Sequence, residues 1–281
     1  MKTWQRPFLL TIAGALIVLG ATGITAACDG GNLSTVNVIS AGAASNSPGT
    51  PDPCERLFVP AYFSAPYWET AIGSNQKPAD MILDVDGMGA GTAPDPDLQY
   101  LVKQAQAAGI TVLGYSSTAD AQRPVAQVET DIGNYAAWYG VTGIFLDRVS
   151  GTAQDFAYYS QVSGYIRGAH AGAMIWMNPG VYPADQDYMS LADVMSVFEG
   201  PYAQYLTLQV PGWALSYTPD RFAHTIYATP EAALADALNL AQQRNAGYVY
   251  VTDLAGPDPY QGLPSYWTAE GADPVVGCAS P

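Results

Sequence analysis

Eight short runs of β-branched and aromatic residues, each followed by a turn and then a longer helical pattern, predict an α/β fold: a single (β/α)8 TIM-like barrel, preceded by a signal peptide and a flexible tether. The stretch that carries them, residues 54–281, is 228 residues long, close to the roughly 250 of such a barrel. It contains no phosphate-binding GxGxxG fingerprint, which argues against the competing doubly wound open sheet.

Residues 1–27 read as an export signal. Lys2 and Arg6 form a basic start, Phe8 to Leu19 an apolar run, and Thr25, Ala26 and Ala27 a small-residue exit. With residues 20–27 the apolar run approaches the roughly 20 residues that span a bilayer, but Gly, Ala and Thr crowd its end and favour cleavage. Cys28 follows directly, where a bacterial lipoprotein signal places the cysteine to be lipidated, although Thr25 stands where such signals favour Leu. A lipid on Cys28 is therefore the one route to the membrane. If Cys28 carries it, Cys54 and Cys278 remain as a disulfide pair in an oxidising compartment, and a closed barrel brings its two ends together; the alternative is three free thiols. Residues 28–53, mostly Gly, Ser, Thr, Asn, Ala and Pro, read as the tether, and residues 54–281 as the barrel domain.

The whole chain has 281 residues with 10 Lys+Arg against 25 Asp+Glu, a formal charge of −15; without Lys2 and Arg6, 8 basic against 25 acidic residues give −17. A 12% charged and 49% hydrophobic composition excludes disorder, and the acidic balance excludes a nucleic-acid binder. Two His and three Cys, with no HExxH or CxxC spacing, give no metal site, and no cofactor is expected.

In chain order the expected strands are Leu57 to Tyr62, Met81 to Val85, Thr111 to Tyr115, Gly143 to Asp147, Ala173 to Met177, Val194 to Phe198, Ala223 to Tyr227 and Tyr248 to Thr252. Helical spacing of Ala, Gln and Leu marks Asp97 to Ala108, Val125 to Tyr139, Ala153 to Ala169 and Pro230 to Asn245. In such a barrel the reactive groups sit at the C-terminal strand ends. These deliver Tyr62, Asp84 with Asp86, Tyr115, Asp147, Asn178, Glu199, Tyr227 and Asp253.

An aspartate after a strand often caps the next helix, as Asp86 or Asp253 could do. Glu199 precedes Gly200 and Pro201, where no helix start needs it. Two carboxylates facing one another among Tyr, Trp and Asn form the constellation that glycoside hydrolysis requires, one donating a proton and one ionised. Asp147 and Glu199 are that pair. Tyr62, Trp68, Tyr115, Trp176, Tyr202 and Tyr227, at or just beyond strand ends, offer faces for stacking on sugar rings. The run Gly87, Gly89, Gly91 spells GxGxG and reads as a mobile loop at the pocket rim. His170 and His224 have no GxSxG serine to serve, so a Ser-His-Asp hydrolase is excluded.

At these residues the chain resembles the spherulin-4-like (spherulation-specific family 4) proteins, which include glycoside hydrolase family 135. The matching strings are Val59-Pro60-Ala61-Tyr62, Leu113-Gly114-Tyr115 with Arg123-Pro124, Gly143-Ile144-Phe145-Leu146-Asp147, Asn178-Pro179-Gly180, Val197-Phe198-Glu199 with Tyr202 and Tyr205, and residues 245–253 ending in Asp253. The resemblance implies a TIM-like barrel and, as for the family's characterised fungal members, endo-hydrolysis of α-1,4-linked N-acetylgalactosamine in galactosaminogalactan, a biofilm exopolysaccharide. It makes a polysaccharide the expected partner. Asp84 and Asp86, on one face of strand two, would favour a cationic, galactosamine-containing chain.

The chain departs from the family at one place: the hydrolases carry an Asp-Glu pair ending strand four, and here Arg148 follows Asp147. By alternation Arg148 points away from Asp147 and alters a substrate contact; turned instead towards Glu199, it would hold that group ionised and spoil it as a proton donor; the third reading is a surface residue with no role. The readings that follow are an extracellular glycosidase, a weakened barrel that binds polysaccharide, and an envelope or spore-coat structural protein. The substrate-binding set is Tyr62, Asp84, Asp86, Tyr115, Arg148, Trp176, Asn178, Tyr202, Tyr227 and Asp253.

Overall fold

The computed structural model describes residues 55–276. The export signal, the tether, and Cys28, Cys54 and Cys278 lie outside the described residues.

Eight parallel strands close in sequence order into one barrel. They are β1 (Arg56–Pro60), β2 (Asp80–Leu83), β3 (Thr111–Ser117), β4 (Gly143–Asp147), β5 (Met174–Asn178), β6 (Val194–Pro201), β7 (Phe222–Tyr227) and β8 (Tyr248–Val251). The helices are α1 (Ala65–Gly73), α2 (Pro96–Ala107), α3 (Val125–Asn134), α4 (Phe156–Ala169), α5 (Tyr202–Tyr205), α6 (Leu234–Gln243) and α7 (Trp267–Ala272). The start of α2 shows the local logic. Asp95 accepts the N–H groups of Asp97 at 2.8 Å and Leu98 at 3.2 Å, and Pro96 sits where no N–H is needed. Among the described residues no helix is long and apolar enough to cross a membrane.

Strand register assigns the lumen. Tyr115 pairs with Phe145 and Phe145 with Trp176, while the indole of Trp176 lies 5.0 Å from Phe58 and 4.9 Å from Tyr248 across the barrel. These rings pack on one another, buried, as the floor of the lumen. Two residues further along, Asp147 and Asn178 are partners and share the lumen face above that floor. On the outer face, Gly114 admits the ring of Tyr135: a Cβ there would lie 2.4 Å from it. The Tyr135 hydroxyl in turn bonds the carbonyl of Gly89 at 2.9 Å, tying down the loop after β2.

The closing helix carries an enclosed carboxyl. Glu270 of α7 is 0% exposed, its Oε1 accepts the Val251 N–H at 2.8 Å, and burial pushes its pKa up from 4.5 to about 8. Stability carried by the neutral carboxyl is complete below the ordinary value of 4.5 and is lost as pH rises through about 8. Glu270→Gln keeps an oxygen for Val251 and does not titrate. It should therefore melt higher than the parent at pH 8 and no higher at pH 4; thermal melts showing the same difference at both pH values would refute this.

Candidate active site

Three adjacent strands build the centre. β4 ends in Asp147, β5 in Asn178, and β6 carries Glu199 three residues beyond Ser196, the position level with Asn178. Strict alternation from Val194, the partner of lumen-facing Trp176, would put Phe198 in the lumen and Glu199 outside. A register irregularity between Ser196 and Phe198 reverses this. Phe198 turns outward onto Tyr205, 4.7 Å between ring centres, and Glu199 turns inward beside Thr225.

Both oxygens of each carboxylate accept a hydrogen bond. The Tyr115 hydroxyl donates to Asp147 Oδ2 at 2.6 Å, and the Tyr260 hydroxyl to Glu199 Oε1 at 2.6 Å. Asn178 Nδ2 bridges the two, donating to Asp147 Oδ1 at 2.9 Å and Glu199 Oε2 at 2.7 Å. The orientation of this amide is fixed, because Asn178 Oδ1 accepts the Gly180 N–H at 3.0 Å. Tyr62 stands edge-to-face between the two phenols, 5.5 Å from Tyr115 and 5.7 Å from Tyr260. Burial, and then the charge on Glu199, raise the pKa values of Tyr227 and Tyr260, so both phenols stay protonated. Asp147 is 7% exposed, and Glu199 is more open. Such an arrangement can present one enclosed and one accessible carboxyl to the same bond.

Tyr62, Tyr115, Asp147, Asn178, Glu199 and Tyr227 are thus brought together. Trp176 is not available to a sugar: it is 0% exposed, and its indole N–H donates to Ser196 at 2.7 Å inside the barrel. Trp68 is equally enclosed and bonds the Ala61 carbonyl at 3.3 Å. Asp84 and Asp86 do not share a strand face, because β2 ends at Leu83. Asp84 accepts the Gly87 N–H at 2.7 Å, and Asp86 those of Met88 and Gly89 at 2.9 and 2.8 Å. The glycine loop expected to be mobile is therefore bound at several points, including Met88 O by Arg123 at 2.9 Å. Asp253 caps no helix; it accepts the Ser265 N–H at 2.9 Å and fastens the loop after β8. Tyr202 opens α5 and packs, half-buried, against the core.

Arg148 follows Asp147 with φ of 54°, and its guanidinium pairs with Asp120. The two side chains are 57% and 51% exposed, so the pair contributes about 0–1 kcal/mol at most. Arg148→Ala should leave the melting temperature within about 4 °C. Should the site be hydrolytic, turnover should stay within a few-fold; a rate loss of a hundredfold without a change in melting would place Arg148 on the substrate.

Tyr260 is the residue that strand-end reasoning misses. It lies nine residues beyond β8, and no periodicity marks it. Among the described residues no group of three or more His, Cys, Asp and Glu could hold a metal ion.

The family model for spherulation-specific family 4 matches residues 57–272. Spherulin-4 of Physarum polycephalum is 28% identical over 228 residues, covering 76% of this chain and 68% of its own. The crystal structure of Aspergillus clavatus Sph3 in complex with GalNAc aligns with a TM-score of 0.66 at 25% identity, over 79% of this chain and 97% of that one. A chitinase from Chromobacterium violaceum, at 12% identity and a TM-score of 0.53 over 78% of this chain and 99% of its own, shares the fold alone.

Proposed function

The chain belongs to spherulation-specific family 4, and from that premise we propose that it is an exported glycoside hydrolase, endo-acting on an amino-sugar exopolysaccharide in the manner of an α-1,4-galactosaminidase. The observation that carries this reading is the bridged pair Asp147 and Glu199 at the C-terminal mouth of the barrel. GalNAc bound to a relative of 25% identity supports an amino sugar as ligand.

In this mechanism Glu199, the more open carboxyl, gives its proton to the glycosidic oxygen as the bond to the anomeric carbon breaks. Asp147, enclosed and held from both sides, either bonds to the anomeric carbon as the leaving oxygen departs or supports with its negative charge the attack of the substrate's own acetamido oxygen there. Water then displaces that attacking oxygen from the anomeric carbon and gives a proton to Glu199. The two oxygens bridged by Asn178 are no further apart than its two bonds of 2.9 and 2.7 Å laid end to end. The facing oxygens are therefore close, which favours the roughly 5–5.5 Å spacing of retaining carboxyl pairs over the wider inverting one. Products should therefore keep the anomeric configuration, whether Asp147 or the acetamido oxygen of the substrate attacks. Proton NMR of freshly released oligosaccharides checks this, and inverted product would rule out direct participation of either group.

Export rests on residues 1–27, with Cys28 as the proposed lipidation point. Glu55 and Val276 form a parallel bridge, with the Glu55 N–H on Val275 O at 2.8 Å. Their adjacency supports the proposed Cys54–Cys278 disulfide.

Mass spectrometry of products from a partly deacetylated α-1,4-N-acetylgalactosamine polymer, beside Glu199→Gln, tests the reading. Short oligosaccharides from the parent alone are expected. No products from either, together with measurable polymer binding, would make the barrel a binder instead.

A further inference from the structure

The Tyr260 hydroxyl touches Glu199 and nothing in strand periodicity anticipates it. We propose that Tyr260 is a positioning residue: it holds Glu199 for proton transfer and is the partner that yields when Glu199 takes up a proton. The inference rests on the reading of Glu199 as proton donor.

The loop that carries Tyr260 is built rather than loose. Asp253 Oδ1 accepts the Ser265 N–H at 2.9 Å, Asp258 Oδ1 accepts the Tyr260 N–H at 3.2 Å, and the Tyr250 hydroxyl donates to Gly262 O at 3.3 Å. Gly262 lies under Tyr67, where a Cβ would come within 2.9 Å of the ring. Tyr260 itself is 5% exposed, with its ring against Tyr62.

The donor arithmetic around Glu199 selects Tyr260. With Oε1 accepting from Tyr260 and Oε2 from Asn178, the observed arrangement suits the ionised carboxylate. A proton carried on Oε1 on the side of Tyr260 is accommodated by whichever donor can turn to accept it. Asn178 is committed, because both its N–H groups face carboxylates and its oxygen is held by Gly180. The Tyr260 hydroxyl needs only to rotate about its C–O bond, after which its oxygen accepts the proton that Glu199 carries on Oε1. Tyr260 thus favours the anion while donating and accommodates the acid by turning. Titratable groups that face Glu199 besides Tyr260 include Tyr227 from β7 and, across Asn178, Asp147 from β4. Tyr227 stays protonated and carries no charge, while the hydrogen bonds from Tyr260 and Asn178 both favour the carboxylate over the acid.

The test is Tyr260→Phe, which keeps the ring packed on Tyr62 and removes the hydroxyl alone. Two readouts are taken on the full domain. The first is a carbon-13 NMR titration of Glu199, assigned by its absence in Glu199→Gln; its midpoint should rise by about one pH unit, the order expected of one hydrogen bond to a charged group. The second is the pH profile of kcat/KM, whose alkaline limb should move up by the same amount, with kcat falling about tenfold and KM little changed. An unmoved titration midpoint in a variant that melts like the parent overturns the proposal. If the midpoint moves while the parent releases no products, the positioning role stands and the hydrolase reading falls. If products form but neither the midpoint nor the limb moves, the reverse holds.

Discussion

Glu199→Gln is expected to lower polysaccharide turnover by a factor on the order of 10²–10⁴, the usual worth of a positioned general acid, and Asp147→Asn to lower it at least as far. The two should differ in stability. Asp147 is 7% exposed and accepts from Tyr115 and Asn178. An asparagine there replaces bonds to a charged acceptor with neutral ones and obliges the Tyr115 hydroxyl to turn and accept its N–H, a change costing about 1–3 kcal/mol. At roughly 2–4 °C per kcal/mol for a domain of this size, Asp147→Asn should melt several degrees below the parent. Glu199 is more open, so solvent can take up the displaced N–H of Gln, and its melting should change less. Paired rate and melting measurements check both statements. Should Glu199→Gln keep a tenth of the parent rate or more, Glu199 is not the proton donor.

Much of the barrel is legible because parallel strands buried on both faces read as short apolar runs. β4 occupies Gly143–Asp147 as the pattern predicts, and most other strand ends fall within a residue or two. The discrepancies have local causes. β6 runs on to Pro201 because Glu199, Gly200 and Pro201 keep pairing with Thr225, Ile226 and Tyr227 of β7 beyond the irregularity. The helical pattern expected from Val125 to Tyr139 stops at Asn134 and finishes as a π-turn over Tyr135–Tyr139, where Tyr135 reaches the carbonyls of Leu83 and Gly89. α1 escapes the pattern altogether: its nine residues bury only Trp68 and Ala71, too few to mark a periodic face.

For the site, alternation serves well on β4 and poorly on β6. It places Asp147 in the lumen and Arg148 away from it, as found, because β4 is regular. On β6 the same rule would send Glu199 outside, and the compensating irregularity has no composition of its own among Val194-Met195-Ser196-Val197-Phe198. Trp176 deceives for a related reason. It stands two residues before Asn178 on the same face, so it belongs to the layer beneath the mouth and is sealed by Phe58, Phe145 and Tyr248. Tyr260 is invisible in a different way: its position depends on a loop fixed by contacts far apart in sequence, such as Asp253 with Ser265.

Asn178 offers the sharpest remaining test, because its amide supplies a hydrogen to each carboxylate and its further contact, with the Gly180 N–H, survives the change. Asn178→Asp is nearly isosteric, yet it replaces two donors with a third carboxyl between Asp147 and Glu199. It also sets an oxygen against the same Gly180 N–H, so the backbone has no reason to move. Three adjacent carboxyls cannot all ionise without strong repulsion, and at least one must hold a proton in the folded state. Folded pKa values raised above the unfolded ones mean that stability is complete below about pH 4 and is lost as pH rises. The variant should therefore melt progressively further below the parent between about pH 4 and pH 8. Turnover should fall by about a hundredfold or more, since an extra proton is shared where one carboxyl must be ionised and another must release its proton. A variant whose melting deficit does not grow with pH would show that the two carboxylates are not electrostatically joined through position 178.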